Sequence, residues 1–191
     1  NYDGKFDGPM SLRTGLAKSK NMVSIRVLQA VGPRPAQEWV TRFGFDEDKH
    51  PAFLTMALGA GSVTPMQMAT GYAVFANGGY KVQPHLITRI TDFKDRVLVD
   101  SPAVVQMSEA PAIPPRNAFV MTSLLQEVTR SGTAARAQGT LRRPDIYGKT
   151  GTTNDAMDAW FAGYQPNLAA VVWVGYDTPR KLGDRETGGG L

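Results

Sequence analysis

The sequence predicts an α+β fold, an antiparallel sheet flanked by helices, and three observations predict it. Apolar residues recur at helical spacing through most of the first 80 residues. Three β-rich runs, residues 146–149, 160–164 and 169–176, crowd the last third of the chain. The helix-rich and strand-rich parts follow one another instead of alternating, which is the α+β arrangement.

Each element has its own signal. Met10, Leu12, Leu16 and Ala17 predict a helix over residues 9–18, with proline near its start. Ser19-Lys20-Asn21 interrupts it. Met22, Val23, Ile25, Val27, Leu28 and Val31 predict a second helix, ended by Gly32 and Pro33. Residues 35–43 predict a third, with Trp39, Val40 and Phe43 on one side and Gly44 as the stop. Thr64 as N-cap and Pro65 at the first helical position open a fourth, which Asn77-Gly78-Gly79 ends. Its stripe of Met66, Met68, Tyr72 and Phe75 reads as core packing. Residues 82–90 and 97–99 predict a hairpin joined by Asp92-Phe93-Lys94-Asp95-Arg96. Residues 101–116, with Pro102, Pro111, Pro114 and Pro115, predict a linker or surface loop. A helix over residues 117–130 buries Ala118, Met121, Leu124, Leu125 and Val128, and Ser131-Gly132 closes it. A short helix follows over residues 133–138, and Gln165-Pro166-Asn167 joins the last two strands as a tight turn. The organisation expected is one partial domain over 1–191: a mostly helical part (1–80), a hairpin and Pro-rich loop (81–116), and a helix with antiparallel strands (117–191).

Composition removes several function classes. The 191 residues are 42% hydrophobic and 20% charged, as in ordinary globular proteins that bury a real core. Twenty-one basic residues against 17 acidic ones give a net charge of +4. The pairs Arg142-Arg143 and Arg180-Lys181 have no aromatic interleaving, so nucleic acid is not an expected partner. Zero cysteines exclude disulfides, thiol catalysis and Cys-type zinc sites, and fit an oxidising compartment. His50 and His85 lie far apart with no carboxylate at ligand spacing, so neither a metal nor a cofactor is expected. No run of eighteen apolar residues occurs. Asn1 is not a start residue and the chain stops at Gly188-Gly189-Gly190-Leu191, so both ends read as internal to something larger.

The chemistry concentrates in Asp145-Ile146-Tyr147-Gly148-Lys149-Thr150-Gly151-Thr152-Thr153-Asn154-Asp155, followed by Ala156-Met157-Asp158-Ala159-Trp160-Phe161-Ala162-Gly163-Tyr164. A cation and hydroxyls sit beside small residues, between two strand-like segments. A carboxylate-bearing ligand laid along such an edge is gripped by charge, hydroxyls and main-chain N–H groups together. A phosphate loop is excluded. It needs a glycine where Arg143 stands, and a helix where the aromatic, extended segment 158–164 follows.

Ser19-Lys20-Asn21 paired with Lys149-Thr150-Gly151 is the specific pattern. Together they resemble the transpeptidase domain of penicillin-binding proteins, whose signatures are Ser-x-x-Lys, Ser-x-Asn and Lys-Thr-Gly. Gly59-Ala60-Gly61 with Pro65, Phe75-Ala76-Asn77-Gly78-Gly79 and Gly188-Gly189-Gly190 are similar to the bifunctional, class A branch. The resemblance implies a penicillin-binding-protein or serine β-lactamase-like fold, here expected to be incomplete at both ends. It also implies acyl transfer on peptidoglycan stems ending in D-alanyl-D-alanine, with β-lactams acylating the same serine. Further expectations are a periplasmic place at the bacterial inner membrane, an anchor outside this segment, and a glycosyltransferase domain elsewhere in the parent chain.

Site roles carry over residue by residue. Ser19 relays a proton to the leaving amine, and Asn21 binds the amide chain of the substrate. Lys149 supplies positive field at the substrate carboxylate. The hydroxyls of Thr150 and Thr152 hold that carboxylate, Gly151 lets the strand edge come close, and the Thr152 N–H forms half of an oxyanion hole. None of the eight serines has lysine three positions later, so the nucleophile is expected upstream of Asn1, and residues 1–191 alone are expected to be inactive. Two alternatives stand beside this reading. A serine β-lactamase needs a carboxylate to activate water, and Asp46, Glu47 and Asp48 look like a solvated turn. A non-catalytic relative would keep the fold to bind peptidoglycan or a partner.

Overall fold

The computed structural model describes residues 4–100, 108–183 and 186–190. Among the described residues, six α-helices and five strands follow in order: α1 (Leu12–Ala17), α2 (Asn21–Val31), α3 (Pro33–Val40), α4 (Pro65–Ala76), β1 (Arg89–Thr91), β2 (Val97–Asp100), α5 (Pro115–Ser131), α6 (Ala135–Leu141), β3 (Tyr147–Thr152), β4 (Ala159–Gln165) and β5 (Leu168–Val174). This is the expected α+β arrangement.

Helix starts follow the chemistry of their first turns. Ser11 caps α1 by accepting from the Thr14 N–H at 3.1 Å. At α4, Thr64 and Gln67 form a reciprocal capping box with Pro65 at the first position. Several boundaries differ from the sequence expectation for reasons of proline geometry. Pro33 ends α2 and also opens α3, because its fixed φ suits a first helical residue. Pro115 likewise starts α5, two residues earlier than expected, so the Pro-rich segment is shorter on that side. The part of that loop at 101–107 lies outside the described residues. The hairpin strand is also shorter than expected: residues 83–88 run without ladder pairing, and Pro84 has no N–H to donate there. Its turn is as expected, with Asp92 Oδ1 accepting from the Lys94 and Arg96 N–H groups.

The functional sheet is antiparallel in the order β3-β4-β5, which leaves β3 at an edge among the described residues. Its register pairs Lys149 with Ala162 and Ala162 with Val171. Strand alternation puts Tyr147, Lys149 and Gly151 on one face, with Ala162 and Tyr164 beside them. That face is covered. Helix α4 packs on β4 and β5, α5 packs on β3, and α1 packs on α5. Tyr164 is its anchor: buried, it stacks on Phe75 and meets the rings of Tyr72 and Tyr147. Its Oη lies 2.6 Å from Thr122 Oγ1 on α5. Burial pushes this phenol up to about 12, so the contact is between neutral hydroxyls.

Thr129 sets the height of β3. It is completely buried, and its hydroxyl donates to the Ile146 carbonyl at 2.6 Å, just before the strand begins. Val74, Ile113 and Ala118 form a buried cluster under Phe43, Phe75 and Ala112, tying α4 to the entrance of α5.

Candidate active site

Three segments converge: the turn between α1 and α2, the turn between α5 and α6, and the edge strand β3. The first turn is tight because helix-end carbonyls are reused. Ser19 N–H donates to Leu16 O at 3.0 Å and Lys20 N–H to Gly15 O at 2.8 Å. Gly15 is buried against α2; a Cβ there would lie 2.7 Å from Val23 Cγ1. Ser19 adopts a left-handed conformation, φ +52°, uncommon for a residue with a side chain. It does not cap α2, whose N-cap is Lys20. Lys20 turns the other way and pairs with Asp7 at 2.8 Å.

From β3, Lys149 Nζ donates to Ser19 Oγ at 2.8 Å and to its neighbour's carbonyl, Thr150 O, at 2.9 Å. The two residues are 130 positions apart in sequence. Burial of the ammonium lowers the lysine to about 8. In its charged form Lys149 donates to Ser19, which leaves the Ser19 proton free to move outward. In its neutral form Lys149 can accept that proton instead.

The Gly132-Thr133 turn spaces these two walls. Thr133 N–H donates to Ala17 O at 3.1 Å, two residues before Ser19. Its Oγ1 lies 2.6 Å from Thr150 Oγ1, one residue after Lys149. Gly132 is required by closeness: a Cβ would sit 2.2 Å from Ala17 O. A third contact comes from the glycines near the end of the chain. Gly188 N–H donates to Thr152 Oγ1 at 3.2 Å, and a Cβ on Gly188 would fall 2.1 Å from Trp160 O. Arg136 on α6 holds this strap through the Gly190 carbonyl.

Past β3 the chain doubles back. Asp158 N–H donates to Thr153 Oγ1 at 2.7 Å, and Asp158 Oδ1 accepts from Trp173 Nε1 at 2.8 Å. These bonds fix where β4 starts and hence its register with β3. Of the residues singled out from sequence, Ser19, Lys149 and Thr150 are joined by direct bonds or through the chain. Thr152 and Gly151 continue the same strand, and Asn21 is the half-buried first residue of α2. The acidic turn is engaged elsewhere: Asp46 accepts from Gln67, and Glu47 pairs with Arg34. Sequence reasoning missed Gly132, read only as a helix terminator, and Thr133, read only as the start of a short helix that in fact begins at Ala135.

The profile of the penicillin binding protein transpeptidase domain matches residues 1–189. The chain belongs to that family. Among relatives of this transpeptidase family, penicillin-binding protein 1A of Neisseria flavescens is 50% identical over 190 residues, covering 99% of this chain and 24% of its own length. Penicillin-binding protein 1A of Pseudomonas aeruginosa is 40% identical over 235 residues, 28% of its length. The crystal structure of penicillin-binding protein 1A from Haemophilus influenzae superposes with a TM-score of 0.89 at 35% identity, covering 99% of this chain and 33% of that one. The chain thus spans about a quarter of the length of the curated relatives it matches.

Proposed function

We propose that residues 1–191 form two walls of the cleft of a serine D,D-transpeptidase acting on peptidoglycan stems that end in D-alanyl-D-alanine. The observation that carries this reading is the 2.8 Å bond from Lys149 to Ser19, which joins the two motifs directly. The nucleophilic serine comes from a segment outside these residues, since no serine here has lysine three positions on.

The mechanism uses the groove as follows. Asn21 holds the amide chain of the stem with its donor and acceptor. Lys149, Thr150 and Thr152 grip the terminal carboxylate, and Gly151 keeps the strand edge open to it. Attack by the serine oxygen on the penultimate D-alanine carbonyl, with the serine proton passing to the lysine of its own Ser-x-x-Lys segment, forms a tetrahedral oxyanion, which the Thr152 N–H stabilises. The C–N bond breaks as Ser19, backed by Lys149, passes a proton to the departing D-alanine amine. An amine from a second stem then displaces the serine from the acyl carbon, leaving the cross-link and a free hydroxyl. A β-lactam enters the same way, but its ring nitrogen stays tethered. By the same reading the domain works in the periplasm at the inner membrane, with its anchor, nucleophile and a glycosyltransferase domain supplied by the rest of the parent chain.

Covalent labelling by a fluorescent penicillin tests this. The full-length protein is expected to be labelled, with the label released by mild hydroxylamine. Lys149→Ala is expected to slow labelling about 10²- to 10³-fold, the usual cost of one donor at developing charge. Residues 1–191 alone are expected to stay unlabelled, and a hydroxylamine-sensitive label on them would overturn the assignment of the nucleophile.

A further inference from the structure

We propose that Thr133 is a positioning residue for carboxylate recognition, acting through Thr150; this rests on the transpeptidase reading above. A hydroxyl has one proton, so Thr150 can donate to a bound carboxylate only if it accepts from its other neighbour. That neighbour is Thr133, with the two oxygens 2.6 Å apart. Thr133 must therefore be the donor of the pair when the carboxylate is bound. The chain of bonds runs Thr133 O–H to Thr150 Oγ1, then Thr150 O–H to the carboxylate, and each bond polarises the next.

Thr152 is prepared in the same sense. It accepts from the Gly188 N–H, which frees its own proton for the ligand. Both threonines of β3 are thus supplied from behind and present donors outward. Thr133 differs from Gly188 in what else it holds. Its N–H is bonded to Ala17 O and Ala134 beside it is buried, so the hydroxyl projects from a fixed backbone. One residue therefore links the α1 end of the Ser19 wall to the Thr150 wall, through its backbone on one side and its side chain on the other.

The test compares benzylpenicillin with its methyl ester, which lacks the carboxylate charge, on the full-length protein. Thr133→Val removes the hydroxyl and keeps the shape. It is expected to lower the second-order acylation rate for the acid about 3- to 10-fold, the range of one hydrogen bond, and to leave the much slower ester rate unchanged. Thr133→Ser is expected to restore the acid rate. Equal losses for acid and ester would overturn the proposal by revealing a packing role, and so would a Thr133→Val protein as fast as wild type on the acid. An unlabelled wild type would instead overturn the transpeptidase reading, and this inference with it.

Discussion

Lys149 is where a single residue makes the cleft sensitive to pH. Its ammonium is half-buried against Ser19, and burial lowers it from 10.5 to about 8. The folded pKa is below the unfolded one, so burying the cation opposes folding at low pH. That penalty is relieved as pH rises from 8 towards 10.5, where the unfolded chain holds the extra proton. In the proposed mechanism, function runs the opposite way, because the carboxylate grip needs the charge. Acylation of the full-length protein by benzylpenicillin is therefore expected to fall as pH rises through about 8, well below the range of an ordinary lysine. Lys149→Arg is expected to be slower overall but to lose this alkaline limb, since a guanidinium stays charged. A profile flat to about pH 10 in the native protein would rule out Lys149 as the titrating group. The types and spacing of Ser19 and Lys149 were legible in sequence because each sits in a distinctive tripeptide. Thr133 was not, because its importance lies in two contacts with residues 116 and 17 positions away.

At the scale of elements, the spacing between the Ser19 turn and β3 is set by the close approach of α5's end to α1's end. Gly132 has only enough room for hydrogen where Ala17 O approaches it, so Gly132→Ala must push the two ends apart. The expected cost is about 1–3 kcal/mol, the usual penalty for overpacking a well-fitted contact. Because Thr133 and Ala17 move with it, the Lys149–Ser19 bond should lengthen too. A lowered Tm together with slowed penicillin labelling is the expected result. A lowered Tm with labelling unchanged would show that the spacing does not govern the site. Helices were readable to within a few residues because caps and prolines act locally, as Thr64-Pro65 and Pro115 illustrate. The strand expected from residue 82 was less readable. Its β-rich composition is real, but ladder pairing needs a partner, and β2 is only Val97–Asp100.

For the whole molecule, helices cover one face of the sheet, and the other leaves an apolar row of β5 exposed. Tyr164 and Ala162 are buried under α4 and α5, whereas alternate residues of β5 point away from the helices. Leu168 is 60% exposed and Val172 is 56% exposed, and Val174 extends the same row. Strand alternation makes this row contiguous, and β5 is an edge among the described residues, so its backbone is also open to pairing. An apolar strip of this kind is costly in water, at about 25 cal/mol for each Å² left uncovered. Residues 1–191 expressed alone are therefore expected to bind the apolar dye ANS and to self-associate with rising concentration. Replacing Leu168 and Val172 by lysine places two like charges, two positions apart, on that row. Repulsion and hydration should then abolish most of the dye signal and leave a monomer in sedimentation. Lys149 and Ser19 lie on the opposite, helix-covered face, so far-UV circular dichroism and the Lys149–Ser19 bond should be unaffected. Undiminished dye binding in the double variant would place the exposed apolar surface elsewhere, with the β1–β2 hairpin and its exposed Phe93 and Leu98 the next to substitute.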